Sequence, residues 1–125
     1  MILGVGIDIV EVARIQVAFT KSGATFVKRI LLPAELAYCL AYKNPAPQLA
    51  ARFAAKEAIS KAFGTGLGKQ IGWLDIEVRR KQSGEPFVVL HGNGKKLFAA
   101  RGAKQLLISL SHTEIHATAM AILEA

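Results

Sequence analysis

Two acidic residues lie at positions that indicate a chemical role for their carboxylates. Asp8 is the only charged residue of the apolar stretch ILGVGIDIV, and Glu57 lies in RFAAKEAISKAFGTGLG between Lys56 and Lys61. A carboxylate in an apolar strand is costly unless it is exposed, paired or bound to a cation. Magnesium takes one or two protein carboxylates together with water and phosphate oxygens. These residues therefore indicate a magnesium–phosphate site flanked by lysines.

The segment around Glu57 has the apolar periodicity of a helix over residues 48–63. At about 100° per residue, small side chains fall on one arc, where they permit close packing, and larger ones fall on the opposite arc. The small arc contains Ala51, Ala54, Ala55, Ala58 and Ala62, and the opposite arc contains Phe53, Lys56, Glu57, Ser60 and Lys61. The positive charges beside Glu57 predict that its carboxylate is ionised.

Three glycines follow this helix. Gly64 has the position of a left-handed C-cap, a conformation that glycine adopts without strain. Gly66 and Gly68, followed by Lys69, predict a turn of exposed N–H groups that binds an anion. The glycines follow a helix instead of preceding one, so this is not the phosphate loop of nucleotide-binding proteins. A phosphate here would depend on Lys61, Lys69 and local amides.

The composition indicates a cytoplasmic protein that associates with itself. The chain has 125 residues, 52% of them hydrophobic, and a mean hydropathy of +0.34, which favours burial of apolar surface against another copy. No apolar run is long enough to span a bilayer, and the start MILGVGIDIV lacks the basic region and cleavage site of a signal peptide. The single Cys39 predicts a buried residue in a reducing compartment.

A net charge of +7 predicts an anionic partner. Aromatic residues make up only 7% of the chain and none of the common nucleic-acid motifs is present, which argues against nucleic acid as that partner. Three cations recur at seven-residue spacing, and a continuous helix would present them on one face. This basic row, either a solvated surface or a docking face, consists of Arg14, Lys21 and Lys28.

The element pattern predicts one α+β domain over residues 1–125, with an antiparallel sheet packed against helices. Strands are predicted at 2–10, 73–80, 87–91, 106–111 and 116–123. Helices are predicted at 11–20, 33–43, 48–63 and 95–102. Ser22 and Gly23 mark a break, and Pro33 suits the first turn of the second helix. No repeat or linker divides the chain.

Two long blocks, GVGIDIVEVARI at 4–15 and RFAAKEAISKAFGTGLG at 52–68, resemble the signature blocks of the holo-acyl-carrier-protein synthases, small bacterial 4′-phosphopantetheinyl transferases of fatty acid biosynthesis. The first block carries Gly-x-Asp and the second Lys-Glu-Ala-x-x-Lys. The SGEP turn and the closing SLSHTEIHATAMAI also match, so the resemblance covers the whole chain. It implies the 4′-phosphopantetheinyl transferase fold and homotrimers with active sites between subunits. It also implies transfer of 4′-phosphopantetheine from coenzyme A to a serine of apo-acyl carrier protein, releasing adenosine 3′,5′-bisphosphate.

The resemblance implies roles for individual residues. Asp8 and Glu57 would bind Mg²⁺ that bridges the coenzyme A pyrophosphate, and Lys61 would contact the same phosphates and stabilise the leaving group. The acceptor of the serine proton stays open between Glu57, a metal-bound water and Glu35. The acidic acyl carrier protein would dock on the basic row. The residues expected at the coenzyme A site are Arg52, Ser60, Lys61, Gly64, Gly66, Pro86 and His112.

Other interpretations of the same residues explain less. His112 and His116 are four apart, but a strand would place them about 13 Å apart, which disfavours zinc. Ser111 and His112 would point to opposite faces of a strand, which disfavours a nucleophilic pair. A basic oligomer that binds nucleic acid or a nucleotide accounts for the charge but leaves Asp8 unexplained. A transferase made of two fused halves would need an internal repeat, which is absent.

Overall fold

The chain folds into four α-helices and five strands in two antiparallel sheets. The structure is a computed structural model and describes residues 1–125. Its α+β architecture and its order of strand, helices, hairpin, helix and hairpin confirm the sequence prediction. In chain order the elements are β1 (Ile2–Glu11), α1 (Val12–Ile30), α2 (Pro33–Leu40), α3 (Ala46–Phe63), a 3-10 turn (Trp73–Asp75), β2 (Ile76–Arg80), β3 (Pro86–Leu90), α4 (Gly92–Ala100), β4 (Gln105–His112) and β5 (His116–Glu124).

The larger sheet has the strand order β1-β5-β4, and β2 and β3 form a separate hairpin. In the larger sheet Ile7 lies opposite Met120, and Asp8 lies opposite Ala119. Alternate residues of a strand face opposite sides of the sheet. One side of β5 is therefore buried against the helices, and it consists of Ala117, Ala119, Ala121 and Leu123.

Helix α3 packs closely against β1 because both surfaces lack large side chains. A Cβ atom on Gly6 would lie 1.8 Å from the carbonyl oxygen of Ala58, and one on Gly4 would lie 1.9 Å from that of Ala62. Only glycine permits such an approach of two backbones. The predicted close packing of the small arc is confirmed. It also brings Asp8, which lies on the same side of β1, next to α3.

Part of the polar side of α3 is also buried, although Glu57 is half-buried and Lys61 is exposed. Arg52 is 2% exposed, and Lys56 and Ser60 are fully buried. This side is covered by α1, α2 and β2, while β1 and β5 cover the small arc. Because residues on both sides of the helix are buried, the contrast between small and polar residues does not separate core from surface here.

Four elements differ from the predicted ones by more than two residues at one end. The predicted break in the first helix is an interruption at Gly23 (φ 47°, ψ −122°), and α1 then continues to residue 30 because glycine tolerates this conformation. Residues 73–75 form a 3-10 turn instead of a strand, and Asp75 Oδ2 accepts a hydrogen bond from the Gly72 N–H at 2.8 Å. Helix α2 ends three residues before the prediction, and α4 begins three residues before it.

The outer face of the larger sheet is apolar and exposed. On β1, Val5, Ile7 and Ile9 are 57%, 61% and 65% exposed, and Leu107 and Met120 on the neighbouring strands are each 44% exposed. A contiguous apolar surface of this kind marks a contact with another molecule. The excess apolar content of the sequence is thus concentrated on one face. None of the four helices has the length and apolar character required to cross a membrane.

Candidate active site

The carboxylates of Asp8 and Glu57, the carboxylate pair, come together where β1 crosses α3. Asp8 follows Gly4 and Gly6 on the side of β1 that faces the helix, and the two glycines set the close approach. Burial and then the negative charge of Asp8 raise the pKa of Glu57, and Lys61 Nζ lies 3.2 Å from Asp8 Oδ1. Three residues predicted for the site, from two distant segments, therefore meet at one point.

The positive charges near Glu57 only partly offset the effects that disfavour its ionised form. Its burial, followed by the charge of Asp8, raises the pKa of Glu57 above the ordinary glutamate value, and Lys61 and Arg14 oppose that shift. The expectation that Lys56 helps to keep Glu57 ionised is wrong, because Lys56 turns into the core on another side of α3. A pair of carboxylates in this state is suited to bind a cation.

Lys61 contacts the carboxylate pair and is also accessible from solvent. Its ammonium group donates to Asp8 Oδ1 at 3.2 Å and to the carbonyl oxygen of Ile7 at 3.0 Å. The side chain is 50% exposed. Because an ammonium group has three donors, Lys61 has the capacity to bind an anion that approaches from solvent.

The donor atoms of the carboxylate pair fit magnesium. No group of three or more His, Cys, Asp and Glu side chains in the chain could hold a metal ion with protein ligands alone. Magnesium prefers oxygen ligands, keeps several waters and is commonly held by one or two carboxylates together with substrate phosphates. Two carboxylates beside a solvent-accessible lysine match that requirement. Asp8 and Glu57 are therefore the residues that could hold the ion.

The loop after α3 is a helix cap and not an anion-binding turn. Gly64 has the left-handed conformation (φ 79°), which confirms the predicted C-cap. The Gly66 N–H donates to the carbonyl of Ser60 at 3.3 Å, and the Gly68 N–H donates to the carbonyl of Ile71 at 2.9 Å. The prediction that these two N–H groups bind an anion is wrong, because both already donate hydrogen bonds to backbone carbonyl groups.

A cavity of about 260 Å³ lies between α2, α3 and β2, and its charged lining residues are three arginines and two glutamates: Arg52, Arg79, Arg80, Glu35 and Glu77. The guanidinium of Arg52 lies 4.2 Å from the centre of the Tyr38 ring, a cation–π contact. Its Nε is buried and has no hydrogen-bond partner. Buried donors without a partner are rare in folded proteins. A cationic cavity with such a donor suits an anionic ligand.

Beside this cavity lies a hydrogen-bonded cluster that the sequence prediction missed. The carboxylate of Glu77, which is 4% exposed, accepts hydrogen bonds from Arg79 Nε at 2.8 Å and pairs with His91 Nε2 at 2.7 Å. The hydrogen bond from Arg79 is the main cause that lowers the pKa of Glu77. Residues two apart share a face of a strand, so the spacing of Glu77 and Arg79 was the available signal.

Glu35, one of the predicted proton acceptors, lies in the core. It is 2% exposed, and its carboxylate accepts hydrogen bonds from Lys56 Nζ, the Leu32 N–H and the Val78 N–H. The bond from Leu32 is the half of a capping box in which the third residue of the helix accepts the N–H of the N-cap residue. These contacts occupy both oxygens of Glu35.

The other residues expected at the coenzyme A site do not gather at the carboxylate pair. The hydroxyl of Ser60 is buried and donates to the carbonyl of Glu57 at 2.7 Å. Pro86 begins β3 opposite Arg80, and His112 ends β4, which β5 separates from β1. No hydrogen bond or ion pair joins Pro86 or His112 to the carboxylate pair.

The basic row is exposed on α1 and begins beside the carboxylate pair. Arg14, Lys21 and Lys28 are all exposed, and the charge of Arg14 weakly opposes the rise in the pKa of Glu57 that burial and Asp8 cause, which indicates proximity. The interruption at Gly23 separates Lys28 from the other two cations. The bend means that seven-residue spacing alone does not align the three side chains.

Fold and site together define a small α+β protein in which Asp8, Glu57 and a solvent-accessible Lys61 meet where β1 crosses α3. Residues 4–120 match the family model described as the 4′-phosphopantetheinyl transferase superfamily. The chain belongs to this family. The family resemblance predicted from the two sequence blocks is thereby confirmed.

Individual relatives agree with this assignment over their full length. The chain is 47% identical over 124 residues to the holo-[acyl-carrier-protein] synthase of Koribacter versatilis, covering 99% of each chain. It is similar to the crystal structure of the holo-[acyl-carrier-protein] synthase of Neisseria meningitidis with a TM-score of 0.93 and 34% identity, covering 100% of both chains. The Helicobacter pylori enzyme, solved in complex with coenzyme A, matches with a TM-score of 0.86 and 32% identity, covering 96% of this chain and 99% of that one.

Proposed function

We propose that the chain transfers 4′-phosphopantetheine from coenzyme A to a serine hydroxyl of apo-acyl carrier protein, releasing adenosine 3′,5′-bisphosphate, in fatty acid biosynthesis. The observation that carries this proposal is the meeting of Asp8, Glu57 and Lys61 at the crossing of β1 and α3. Membership of the 4′-phosphopantetheinyl transferase superfamily supports the reaction, and the coenzyme A complex of the Helicobacter pylori relative supports the donor.

Asp8 and Glu57 would hold a magnesium ion against the coenzyme A pyrophosphate. When bound, the ion neutralises negative charge on the phosphates as the phosphoanhydride bond breaks. The chain supplies one carboxylate from a strand and one from a helix that pack closely together, so the two carboxylates lie near each other before the ligand arrives. Because Glu57 is partly buried beside Asp8, an added positive charge is favoured at this point.

Lys61 would contact the same phosphates and stabilise the leaving adenosine 3′,5′-bisphosphate. Its exposed ammonium can leave Asp8 for a phosphate oxygen without unfolding any element, because Asp8 and the Ile7 carbonyl are its only hydrogen-bond partners. Fixed cationic groups at the point where charge develops are the main means of accelerating phosphoryl transfer. Lys61 and Glu57 are therefore the proposed catalytic residues.

Arg52 is proposed to bind an anionic part of coenzyme A. The cavity that it lines carries three arginines, and the unpartnered Nε supports a contact with a ligand oxygen. The remaining proposed coenzyme A contacts, which the family resemblance alone supports, are Ser60, Gly64, Gly66, Pro86 and His112.

The apolar outer face of the larger sheet supports a homotrimer with active sites between neighbouring subunits. Val5, Ile7 and Ile9 expose more than half of their surface along one strand, and burial of such residues against another copy would stabilise the assembly by about 25 cal/mol per Å². A neighbouring subunit could also bring Pro86 or His112 of its own chain to the carboxylate pair.

The basic row is proposed to dock the acidic acyl carrier protein, with no role for nucleic acid or a membrane. Arg14 is the cation of that row beside the carboxylate pair, so a carrier bound there would have its serine close to the site. Complementary charge of this kind acts mainly on the association rate and weakens with salt. We place the reaction in the cytoplasm, which the reduced, buried Cys39 supports.

Release of adenosine 3′,5′-bisphosphate, measured by anion-exchange chromatography, tests the proposal. The product is expected only when the protein, coenzyme A, magnesium and apo-acyl carrier protein are all present. Release in the absence of the carrier would indicate hydrolysis of coenzyme A. Absence of the product with several apo-carriers would refute the proposed function.

A further inference from the structure

A buried ion pair lies in the core directly behind the candidate active site. Lys56 Nζ on α3 is 2.8 Å from Glu35 Oε1 on α2, and both side chains are completely buried. Lys56 immediately precedes Glu57 in the chain. Lysine and glutamate are almost never fully buried unless they are paired, and a buried pair is not by itself a source of stability. A gain in stability therefore does not explain why this ion pair is buried at this position.

Lys56 uses every donor that it has. Besides Glu35, its ammonium donates to the carbonyl of Ile30 at 2.6 Å and to the carbonyl of Trp73 at 3.0 Å. Ile30 is the last residue of α1, and Trp73 begins the 3-10 turn before β2. An ammonium group has three donors. One side chain of α3 thus holds the end of one helix and the start of the β2–β3 hairpin.

Glu35 extends the same connection to two more backbone segments. Its Oε1 accepts the Leu32 N–H at 3.0 Å, and its Oε2 accepts the Val78 N–H at 2.9 Å. Leu32 is the residue that caps α2, and Val78 lies in the middle of β2. The ion pair therefore joins α1, α2, α3, the 3-10 turn and β2 through hydrogen bonds of normal length.

The other side of α3 supplies little that would fix the rotation of the helix about its axis. Its contact with β1 is formed by the backbones of Gly4 and Gly6 against Ala58 and Ala62, and the side of β5 that faces it consists of alanines and Leu123. Helices are normally oriented by side-chain ridges that fit into grooves. Surfaces made of glycine and alanine have shallow ridges, so the small arc permits close approach but specifies orientation weakly.

We propose that Lys56 and Glu35 are positioning residues that fix the rotation of α3 and thereby the direction of the Glu57 carboxylate. Consecutive helical side chains point about 100° apart, so anchoring Lys56 also sets the direction in which Glu57 points. The inference rests on the proposed function for the role of Glu57. It assigns Glu35 to positioning and not to accepting the serine proton.

The double variant Lys56→Met with Glu35→Gln tests this proposal. It removes both charges, keeps similar volumes and retains an amide oxygen that can accept one of the two backbone N–H groups. The matched control is Lys81→Met with Glu85→Gln, which removes an ion pair of the same type and length on an exposed turn. Three quantities are compared: the thermal midpoint, the NMR spectrum of the alanine methyl groups, and kcat with KM.

The proposal predicts a folded double variant in which the methyl signals of Ala54, Ala58 and Ala62 broaden or double, because α3 no longer has one orientation. We expect kcat to fall by about 10- to 100-fold, the range found when groups that orient a metal ligand are removed. The KM for the carrier protein stays within about twofold, since α1 keeps its basic row. The control variant matches the wild type in all three measurements.

A folded double variant with one sharp set of wild-type alanine methyl signals and kcat within about twofold of the wild type would overturn the proposal. The NMR comparison does not depend on catalysis, so it decides the proposal even if the wild type fails to transfer phosphopantetheine. That second failure would instead refute the proposed function.

Amide hydrogen exchange of the wild type decides the proposal if the double variant does not fold. We expect the Leu32 and Val78 amides to exchange only through a local unfolding event that also exposes the amides of α3. The reason is that the Lys56–Glu35 ion pair and the helix are expected to move together. Fast exchange of these two amides while α3 remains protected would show that the pair opens without the helix, and the proposal would be wrong.

Discussion

Lys61 Nζ lies 3.2 Å from Asp8 Oδ1, on the carboxylate that is proposed to bind magnesium. The same lysine is 50% exposed and is proposed to contact the phosphates of coenzyme A. A lysine and a divalent cation at one carboxylate compete for the same negative charge. Lys61 therefore has two opposite effects: it lowers metal affinity in the free protein and stabilises phosphate charge in the complex.

Lys61→Met is expected to lower kcat and yet to increase the affinity of the ligand-free protein for a divalent cation. A partly exposed ion pair contributes at most about 1 kcal/mol, which corresponds to about two- to fivefold in affinity. Titration of Mn²⁺ followed by electron paramagnetic resonance measures this change. Lys69→Met, an exposed lysine beyond the helix cap, serves as the control and should leave the affinity unchanged. Weaker Mn²⁺ binding by Lys61→Met would argue against the competition.

Gly6→Ala is expected to destabilise the fold and to reduce activity. The added Cβ would lie 1.8 Å from the Ala58 carbonyl oxygen, so β1 and α3 would have to separate. Overpacking of this kind costs about 1–3 kcal/mol, and the separation would also move Asp8 away from Glu57. Urea unfolding measures the loss. Gly68→Ala is the matched control, because no atom lies within 4 Å of its added Cβ; equal stability of the two variants would contradict the packing argument.

Glu77 is expected to make stability sensitive to acid. The hydrogen bond from Arg79 lowers the pKa of Glu77 in the folded protein. The resulting stabilisation is complete above the ordinary glutamate pKa of about 4.3 and is lost as the pH falls through the lower, folded value. Glu77→Gln should therefore be less stable than the wild type at neutral pH, and its thermal midpoint should fall less steeply below about pH 5.

Thermal unfolding of both proteins between about pH 3 and pH 7 provides the comparison for Glu77. Glu85→Gln, in the exposed pair with Lys81, controls for the loss of one carboxylate. Parallel curves for the wild type and Glu77→Gln would show that the hydrogen bond from Arg79 does not contribute to acid sensitivity.

Ile7→Asp is expected to dissociate the proposed trimer. Ile7 is 61% exposed in the middle of the apolar outer face, and a buried carboxylate there would have no partner. Light scattering should give the mass of three chains for the wild type and a smaller mass for the variant. Val17→Asp, at a residue of α1 with 60% exposure, is the control and should remain a trimer. A wild-type protein that is monomeric while active would contradict the assembly.

The carboxylate pair was predictable because its residues lie in two long sequence blocks and because Asp8 interrupts an apolar strand. The approach of α3 to β1 was also predictable, since the alanine arc indicates close packing. The role of Gly4 and Gly6 was available from the same logic, because small residues on both partners permit contact between backbones. In this part of the molecule, local residue type determines the geometry.

The environment of Lys56 and Glu35 was not predictable. In the sequence, Lys56 lies beside Glu57 in a helix, a pattern typical of solvent-exposed positions. Its partner in the core, Glu35, is 21 residues away in the chain. Their burial arises because α1, α2 and β2 cover the polar side of α3, a tertiary arrangement that helical periodicity does not encode. The contact between Arg52 and Tyr38 was not predictable for the same reason, because it depends on how α2 packs on α3.

The most direct test of the central claim is the intact mass of apo-acyl carrier protein after incubation with this protein, coenzyme A and magnesium. The reaction is run with the wild type, with Glu57→Gln, with a metal chelator and with Glu114→Gln, an exposed glutamate, as the matched control. The account predicts a mass gain of one 4′-phosphopantetheine group with the wild type and Glu114→Gln, and none with Glu57→Gln or the chelator. No gain with the wild type, or an undiminished gain with Glu57→Gln, would contradict it.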